Sequence, residues 1–186
     1  DCGECGLRFL DPLQRLNRDE ERAYYATHRN DPADTAYRRF LSPLVDALIT
    51  RLRRHDEGLD YGCGPGSALA AMLVEQGFQV ALYDPCFEPD TAVLQRRYAF
   101  VSCSEVVEHF HAPGEQFHAL DVLLQPGGWL GVMTGILHQG IDFERWHYRR
   151  DPTHVVFYRE STFRHLAERF GWQCEVPGKD VVLLRK

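Results

Sequence analysis

The feature that most restricts this chain is Leu59-Asp60-Tyr61-Gly62-Cys63-Gly64-Pro65-Gly66, a turn with three glycines between an apolar run and a helix-like stretch. Glycine tolerates positive φ and leaves its backbone bare, so the chain can reverse sharply there from strand into helix. Such turns lie at the carboxyl edge of α/β sheets, where those folds bind ligands. The flanking pattern agrees. Strands are predicted over Gly58 to Tyr61, Gln79 to Tyr83, Tyr98 to Cys103 and Trp129 to Thr134. Helices are predicted over Ser67 to Gln76, closed by Gly77, and over Pro113 to Leu124. A helix capped by Ser161 or Thr162 runs through Phe170, and Gln173 to Val176 with Val181 to Leu184 makes a closing hairpin about Pro177-Gly178. The alternation predicts an α/β fold with a mostly parallel sheet, flanking helices and an antiparallel C-terminal hairpin.

Upstream, a polar helix is expected around Asp19 to Ala26 and a loop over His28 to Pro32. Tyr37, Phe40, Leu41, Leu44, Val45, Leu48, Ile49 and Leu52 then repeat at steps of three and four, the period of one apolar helix face. Ser42-Pro43 interrupts that run, which implies either two abutting helices or one kinked helix.

At 186 residues the chain holds one domain and a small appendage, given about 150 residues per domain. A net charge of −6 and a pI near 5.8 leave no domain-wide basic footprint, so nucleic acid is not the expected partner. No apolar run approaches the roughly 20 residues of a membrane span, and no leader pattern is present, so a cytoplasmic monomer or homodimer is expected. Cys2 and Cys5 have the spacing of a metal knuckle, a pair that structural zinc completes with two more ligands. Opening on Asp1 rather than Met, the chain reads as carrying at residues 1–12 the second half of a zinc ribbon; the alternative is two free thiols. Residues 13–54 then form a helical lid and 55–186 the main domain. Six cysteines in an acidic intracellular chain do not argue for disulfides.

Charge sharpens the glycine loop. A pyrophosphate would be repelled by Asp60, which instead suits a cationic ligand end such as an ammonium. Asp84 ends the second strand, where an acidic residue accepts ribose hydroxyls in nucleotide-binding α/β folds. An amino-acid end and a ribose without phosphate describe S-adenosyl-L-methionine. A nicotinamide-dependent oxidoreductase is the rival, disfavoured by Asp60 and by Gly-x-Gly-x-Gly in place of Gly-x-Gly-x-x-Gly. The other rival is a non-catalytic cofactor-sensing or partner-binding module.

At these residues the chain resembles the Rossmann-like, class I S-adenosylmethionine-dependent methyltransferases. Asp60 to Gly66 is similar to their first motif, Asp84 to their ribose-binding acid, Ser102 to Phe110 to their post-strand-four segment, and Leu123 to Leu130 to their turn into strand five. The resemblance implies a cofactor site of Asp60, Gly62, Cys63, Gly64, Gly66, Asp84, Pro85, Cys86, Ser104 and Glu105. Cys2 to Leu7, Tyr25, His28 to Asp31 and Arg149 to His154 are further similar to a bacterial subfamily with an N-terminal four-cysteine zinc ribbon. There is one departure. The interval Pro85 to Ala99 is too short for a helix, a third strand and a loop, since a crossover alone takes at least about 10–12 residues. The third strand is therefore expected to be reduced or missing, with Cys86-Phe87 forming part of the adenine wall.

Methyl transfer needs alignment and, for a hydroxyl acceptor, a base. Glu105, Glu108 and His109 would share one face of a helix starting there. Their position resembles the acidic-histidine cluster of ubiquinone-pathway O-methyltransferases, which can hold a divalent cation. His109 is read as the general base and Glu108 as its orienting partner or a metal ligand; packing of the crossover is the plain alternative. The aromatic and basic stretch after strand five offers Trp146, Tyr148, Arg149 and His154 to a small-molecule acceptor, with His28 from the lid, and an ordinary solvated loop is the alternative.

Overall fold

Read in chain order, the elements begin with a two-residue strand, β1 (Arg8–Phe9), and the lid helix α1 (Arg18–Tyr25). Then come α2 (Thr35–Ile49), β2 (Glu57–Tyr61), α3 (Ala68–Glu75), β3 (Gln79–Tyr83), β4 (Tyr98–Ser104), α4 (Pro113–Leu123) and β5 (Leu124–Met133). The chain closes with β6 (Val156–Phe157), α5 (Glu160–Phe170), β7 (Gln173–Gly178) and β8 (Val181–Arg185). This computed structural model describes residues 1–27 and 30–186, so the reading of His28 as an acceptor contact lies outside the described residues. No helix among the described residues is long and apolar enough to cross a membrane.

Six strands form one sheet in the order β3-β2-β4-β5-β8-β7. The first four run parallel, while β8 is antiparallel to both β5 and β7. Among the described residues, no further strand continues the sheet beyond β3. A two-way bridge between Asp84 and Glu88 and a 3-10 turn over Thr91–Gln95 carry the chain straight to β4. The short interval thus leaves β3 as the sheet edge.

Two-residue alternation separates two cores. Phe100, Met133, Val181 and Leu183 face α2 and α3, meeting Leu41, Leu44, Leu48, Leu69 and Leu73. Val101, Leu130, Val132, Val182 and Leu184 face the other way and pack with Phe117 and Leu120 of α4 and Phe163 and Leu166 of α5.

Local chemistry moves several expected boundaries. Pro43 lies inside a single continuous α2. Proline cannot donate to the carbonyl four residues back, that of Arg39, and the Ser42 hydroxyl donates to it instead at 3.0 Å. Strand β5 begins at Leu124 rather than Trp129, and α5 begins at Glu160, where the Arg159 N–H donates to the Thr162 hydroxyl (3.1 Å). The hairpin turns at Lys179-Asp180, with Asp180 at φ 60° and its carboxylate accepting from the Ile136 N–H (3.0 Å).

The N-terminal segment is knitted to the body. Strand β1 pairs antiparallel with β6, Leu10 N–H donates to Val155 O (2.8 Å), and Val155 N–H donates to Glu108 O (2.9 Å). The Ser161 and Thr162 hydroxyls both donate to Cys5 O at 3.0 Å.

Candidate active site

The carboxyl ends of β2, β3 and β4 open into a cleft of about 1060 Å³, roofed by α1 and the start of α2. Its floor is the glycine loop. There the N–H groups of Gly62 (2.7 Å) and Cys63 (3.2 Å) both donate to Tyr83 O, and Gly64 N–H donates to Asp84 Oδ2 at 3.1 Å. Pro65 has no N–H. This stretch of the loop keeps no spare amide for a phosphate, the donors on which an anion site depends. Gly62 and Gly64 stand at φ 78° and 67°. A Cβ on Gly64 would lie 2.5 Å from Asn30 Nδ2, and one on Gly66 would lie 2.7 Å from Asn30 O, so these glycines also let the lid close over the loop.

Asp84 faces the cleft. Its Oδ1 accepts from Cys86 N–H (2.8 Å) and Phe87 N–H (3.1 Å), a turn that sets Pro85, Cys86 and Phe87 along the wall. Asp60 does not face it. The carboxylate is only 4% exposed and lies beneath the loop, accepting from Ser67 Oγ and from Ser102 Oγ (2.8 Å). Burial pushes it above the usual carboxylate range, against the pull of the two hydroxyls. The expected direct contact with a cationic ligand is therefore corrected to a supporting role: Asp60 ties β2 to Ser67, the N-cap of α3. Cys63 is likewise buried outside the cleft, its thiol pushed up to about 12 by desolvation and then by Asp60.

The other side of the cleft holds an acidic and imidazole cluster. The expected helix from Glu105 does not form. A 3-10 turn covers only Val107–His109, and Glu105 sits at φ 53° with its N–H donating to Met133 O (2.8 Å). Glu108 turns inward and is 0% exposed. Tyr148 Oη donates to its Oε1 at 2.6 Å and Thr134 Oγ1 to its Oε2 at 2.8 Å. His109 Nε2 stands 4.0 Å from Oε1 and His154 Nε2 stands 3.9 Å from it. Each imidazole is oriented by a backbone carbonyl, His109 Nδ1–H donating to Thr153 O (3.0 Å) and His154 Nδ1–H to Tyr148 O (2.7 Å). A carbonyl only accepts, so the proton of each neutral ring sits on Nδ1 and Nε2 is a bare lone pair. Burial draws His154 below the ordinary histidine range, against the opposing field of Glu108. Burial also pushes Glu105 up to about 9, reinforced by Glu108.

Tyr25 of the lid meets the His109 ring edge-on at 5.3 Å. A 2.7 Å contact between Glu21 Oε1 and His111 Nε2 ties the lid to the body. Ser104 Oγ and Gln116 Oε1, both lining the cleft, are buried without a protein partner among the described residues. Trp146 and Arg149 do not line it. Trp146 packs among Phe143, Tyr148 and Phe157, and Arg149 lies over the Phe143 ring at 5.2 Å, beside a separate cavity of about 390 Å³. Cys2 and Cys5 face each other across a turn closed by Gly6 N–H to Cys2 O (3.0 Å) and supply two donors where a closed structural zinc takes four. Among the described residues, Glu108, His109 and His154 are the group of three whose ligand atoms converge. Sequence reasoning gave Asn30 and Thr134 no role of their own, because each acts through a contact distant in sequence.

Comparison with known proteins matches residues 33–175 to a methyltransferase domain. A ubiquinone biosynthesis O-methyltransferase from Klebsiella pneumoniae is 34% identical over 77 residues, 41% of this chain and 32% of the relative. The counterpart from Aeromonas salmonicida is 25% identical over 91 residues, 49% of this chain and 38% of the relative. The chain thus matches about a third of the length of these curated relatives. In fold it is similar to a Burkholderia thailandensis 1,6-didemethyltoxoflavin-N1-methyltransferase, solved with that compound and S-adenosylhomocysteine. The TM-score is 0.61 at 18% identity, over 97% of this chain and 94% of that one. A Galdieria sulphuraria structure described as a sarcosine dimethylglycine methyltransferase gives 0.60 at 18% identity, over 85% and 74%.

Proposed function

The chain belongs to the methyltransferase-domain family, and from that premise we propose that it moves a methyl group from S-adenosyl-L-methionine to an oxygen or nitrogen of a small-molecule acceptor. One observation carries the choice of donor: the Gly62, Cys63 and Gly64 amides are spent on Tyr83 and Asp84 while Asp84 itself faces the cleft. That floor favours a ribose hydroxyl and disfavours a pyrophosphate. Ser104 Oγ, buried and unpaired at the cleft wall, adds a polar group that a ligand would satisfy. At about 1060 Å³ the cleft exceeds the roughly 300–1,000 Å³ of single-ligand pockets, room for donor and acceptor together.

When bound, S-adenosylmethionine supplies an electrophilic methyl on a positively charged sulfur. The protein's part is to align the acceptor, exclude water and receive a proton where the acceptor holds one. Tyr25 and the lid close the cleft from above, and Asp84 with Pro85 to Phe87 walls the donor end. Glu108, His109 and His154 crowd the far end with two bare imidazole nitrogens and a carboxylate. A protonated hydroxyl acceptor needs this equipment most, and we read His109, whose ring meets those of Tyr25 and His154 at the cleft, as the group that receives its proton. Tyr148 and His154 also line the cleft, which supports reading them as acceptor contacts.

Calorimetry tests the donor. S-adenosylhomocysteine binds and NAD does not; the reverse result refutes the reading. For the acceptor end, His109→Ala lowers turnover by about 100-fold or more while S-adenosylhomocysteine affinity stays within about threefold. Donor binding without turnover of any hydroxyl or amine acceptor would favour a cofactor-sensing module.

A further inference from the structure

The separate cavity of about 390 Å³ shares a wall with the cleft, because Asp151 and His154 line both. Pairing of the N-terminal segment builds it. Arg8 of β1 stands opposite Phe157 of β6 in register, and the Phe157 ring meets Phe143 edge-on at 4.9 Å. Two guanidinium groups then rest on Phe143, Arg8 at 4.4 Å and Arg149 at 5.2 Å from the ring centre. A guanidinium stacked on an aromatic face keeps the N–H groups along its planar edge for a bidentate partner. Leu10, Leu16 and Phe157 give the same space an apolar side.

The charges around this cavity are not all matched. Arg8 spends Nε and Nη2 on the Asp1 carboxylate, at 2.6 and 2.8 Å. Asp151 is committed to its own turn, where Oδ1 accepts from Thr153 N–H (2.9 Å) and Thr153 Oγ1 (2.5 Å), and it shares a further hydrogen bond with the Tyr24 hydroxyl. Arg149 makes one long bond, from Nη1 to Glu144 O at 3.4 Å. Among the described residues no carboxylate stands within ion-pair distance of it. Its charge is left for a group that the chain does not supply.

We propose that this cavity is an anchoring subsite for the acceptor, taking a carboxylate-bearing arm of the molecule whose reacting end lies in the cleft. Arg149 binds the carboxylate, and Arg8 adds the Nη1 that Asp1 leaves unused. The apolar side covers the carbon skeleton of the arm, and His154, its ring 4.9 Å from that of His109, is the partition between arm and reacting end. The inference rests on the methyl-transfer reading and adds to it the acceptor's class, a carboxylic acid. One unmatched guanidinium with two carboxylates close by suits a monoanion, since a phosphate dianion is repelled more strongly. Such an anchor fixes which atom of the acceptor meets the donor.

The test uses the full chain and fluorine NMR with two probes of one shape, para-fluorophenylacetate and its neutral amide. The acid binds with a Kd at or below about 1 mM, and the amide binds at least about 10-fold more weakly. Arg149→Gln, at an exposed side chain, brings the acid to the level of the amide. Arg145→Gln, at a neighbouring guanidinium that pairs with Asp142, leaves the acid unchanged. Bound acid also shifts the Cε1–H signal of His154, assigned by its loss in His154→Gln, and leaves that of His138 in place. The acid-to-amide ratio and the His154 shift are both read on the unsubstituted chain, so the test survives a variant that fails to fold. Equal binding of acid and amide, no binding of the acid below about 10 mM, discrimination that persists in Arg149→Gln, or an unmoved His154 signal overturns the subsite. Tighter binding of para-fluorophenyl phosphate than of the acid overturns the carboxylate class. S-adenosylhomocysteine titrated separately distinguishes the two ideas. Its failure to bind while acid and amide are still told apart overturns the donor alone, and its binding while they are not overturns the subsite alone.

Discussion

Asp60 carries a carboxylate that stops short of the cleft. Its two hydroxyl partners sit on different elements, Ser67 at the start of α3 and Ser102 in β4, so it works as a fastener under the loop. Asp60→Ala leaves both hydroxyls without that acceptor and is expected to lower stability by about 1–3 kcal/mol in urea unfolding. Asp84, by contrast, was legible from sequence because a strand that ends on Asp-Pro places the acid at the sheet edge. Whether an acid inside a strand faces a ligand or the core depends on register with its neighbours, which a lone sequence does not encode. Glu105 gives a second prediction. Its carboxyl is pushed up to about 9, so between roughly pH 4.5 and 9 the folded state holds a proton that the unfolded state has released. Stability therefore falls as pH rises through that window. Glu105→Gln removes the dependence: with divalent ions excluded, its melting temperature exceeds the parent's at pH 8, by about 2–4 °C per kcal/mol relieved, and the gap shrinks toward pH 5.

Elements register the same division between what local chemistry dictates and what packing dictates. The apolar period of α2, the Ser67 cap and the Gly77 and Gly171 stops are local, and those helices stand where expected. The early start of β5 and the hairpin turn at Asp180 follow from pairing with Tyr98 and with the Ile136 N–H, contacts far away in sequence. The imidazole cluster was half legible. Glu108 and His109 follow a strand end, but His154 lies in an aperiodic stretch, and only folding brings it back to them. Just past β5, Gly135 holds a third prediction. A Cβ there would lie 2.8 Å from the Tyr148 ring, which is buried and donates to Glu108. Gly135→Ala should displace Tyr148 and cost about 1–3 kcal/mol of stability. Methyl transfer then falls further than S-adenosylhomocysteine affinity, as paired turnover and calorimetry would report.

Taken whole, the molecule is a six-stranded sheet with a core on each face, and the lid helix α1 is tied to it by side-chain contacts. Glu21 to His111 is one of them, and Arg15 adds another through His111 O at 3.0 Å. His111→Ala is expected to speed amide exchange in α1 and weaken S-adenosylhomocysteine binding by about 5-fold, the worth of roughly 1 kcal/mol, while exchange in the sheet stays unchanged. The strap pairing Arg8 and Phe9 with Phe157 and Val156 has a temporal consequence. It joins residues from nearly opposite ends of the chain, and closing so long a loop is entropically slow, so it belongs to the last steps of folding. Val155, which bridges Leu10 to Glu108, comes into place with it. A refolding chain can already own its sheet and its glycine floor, yet it acquires working chemistry only once the strap has shut.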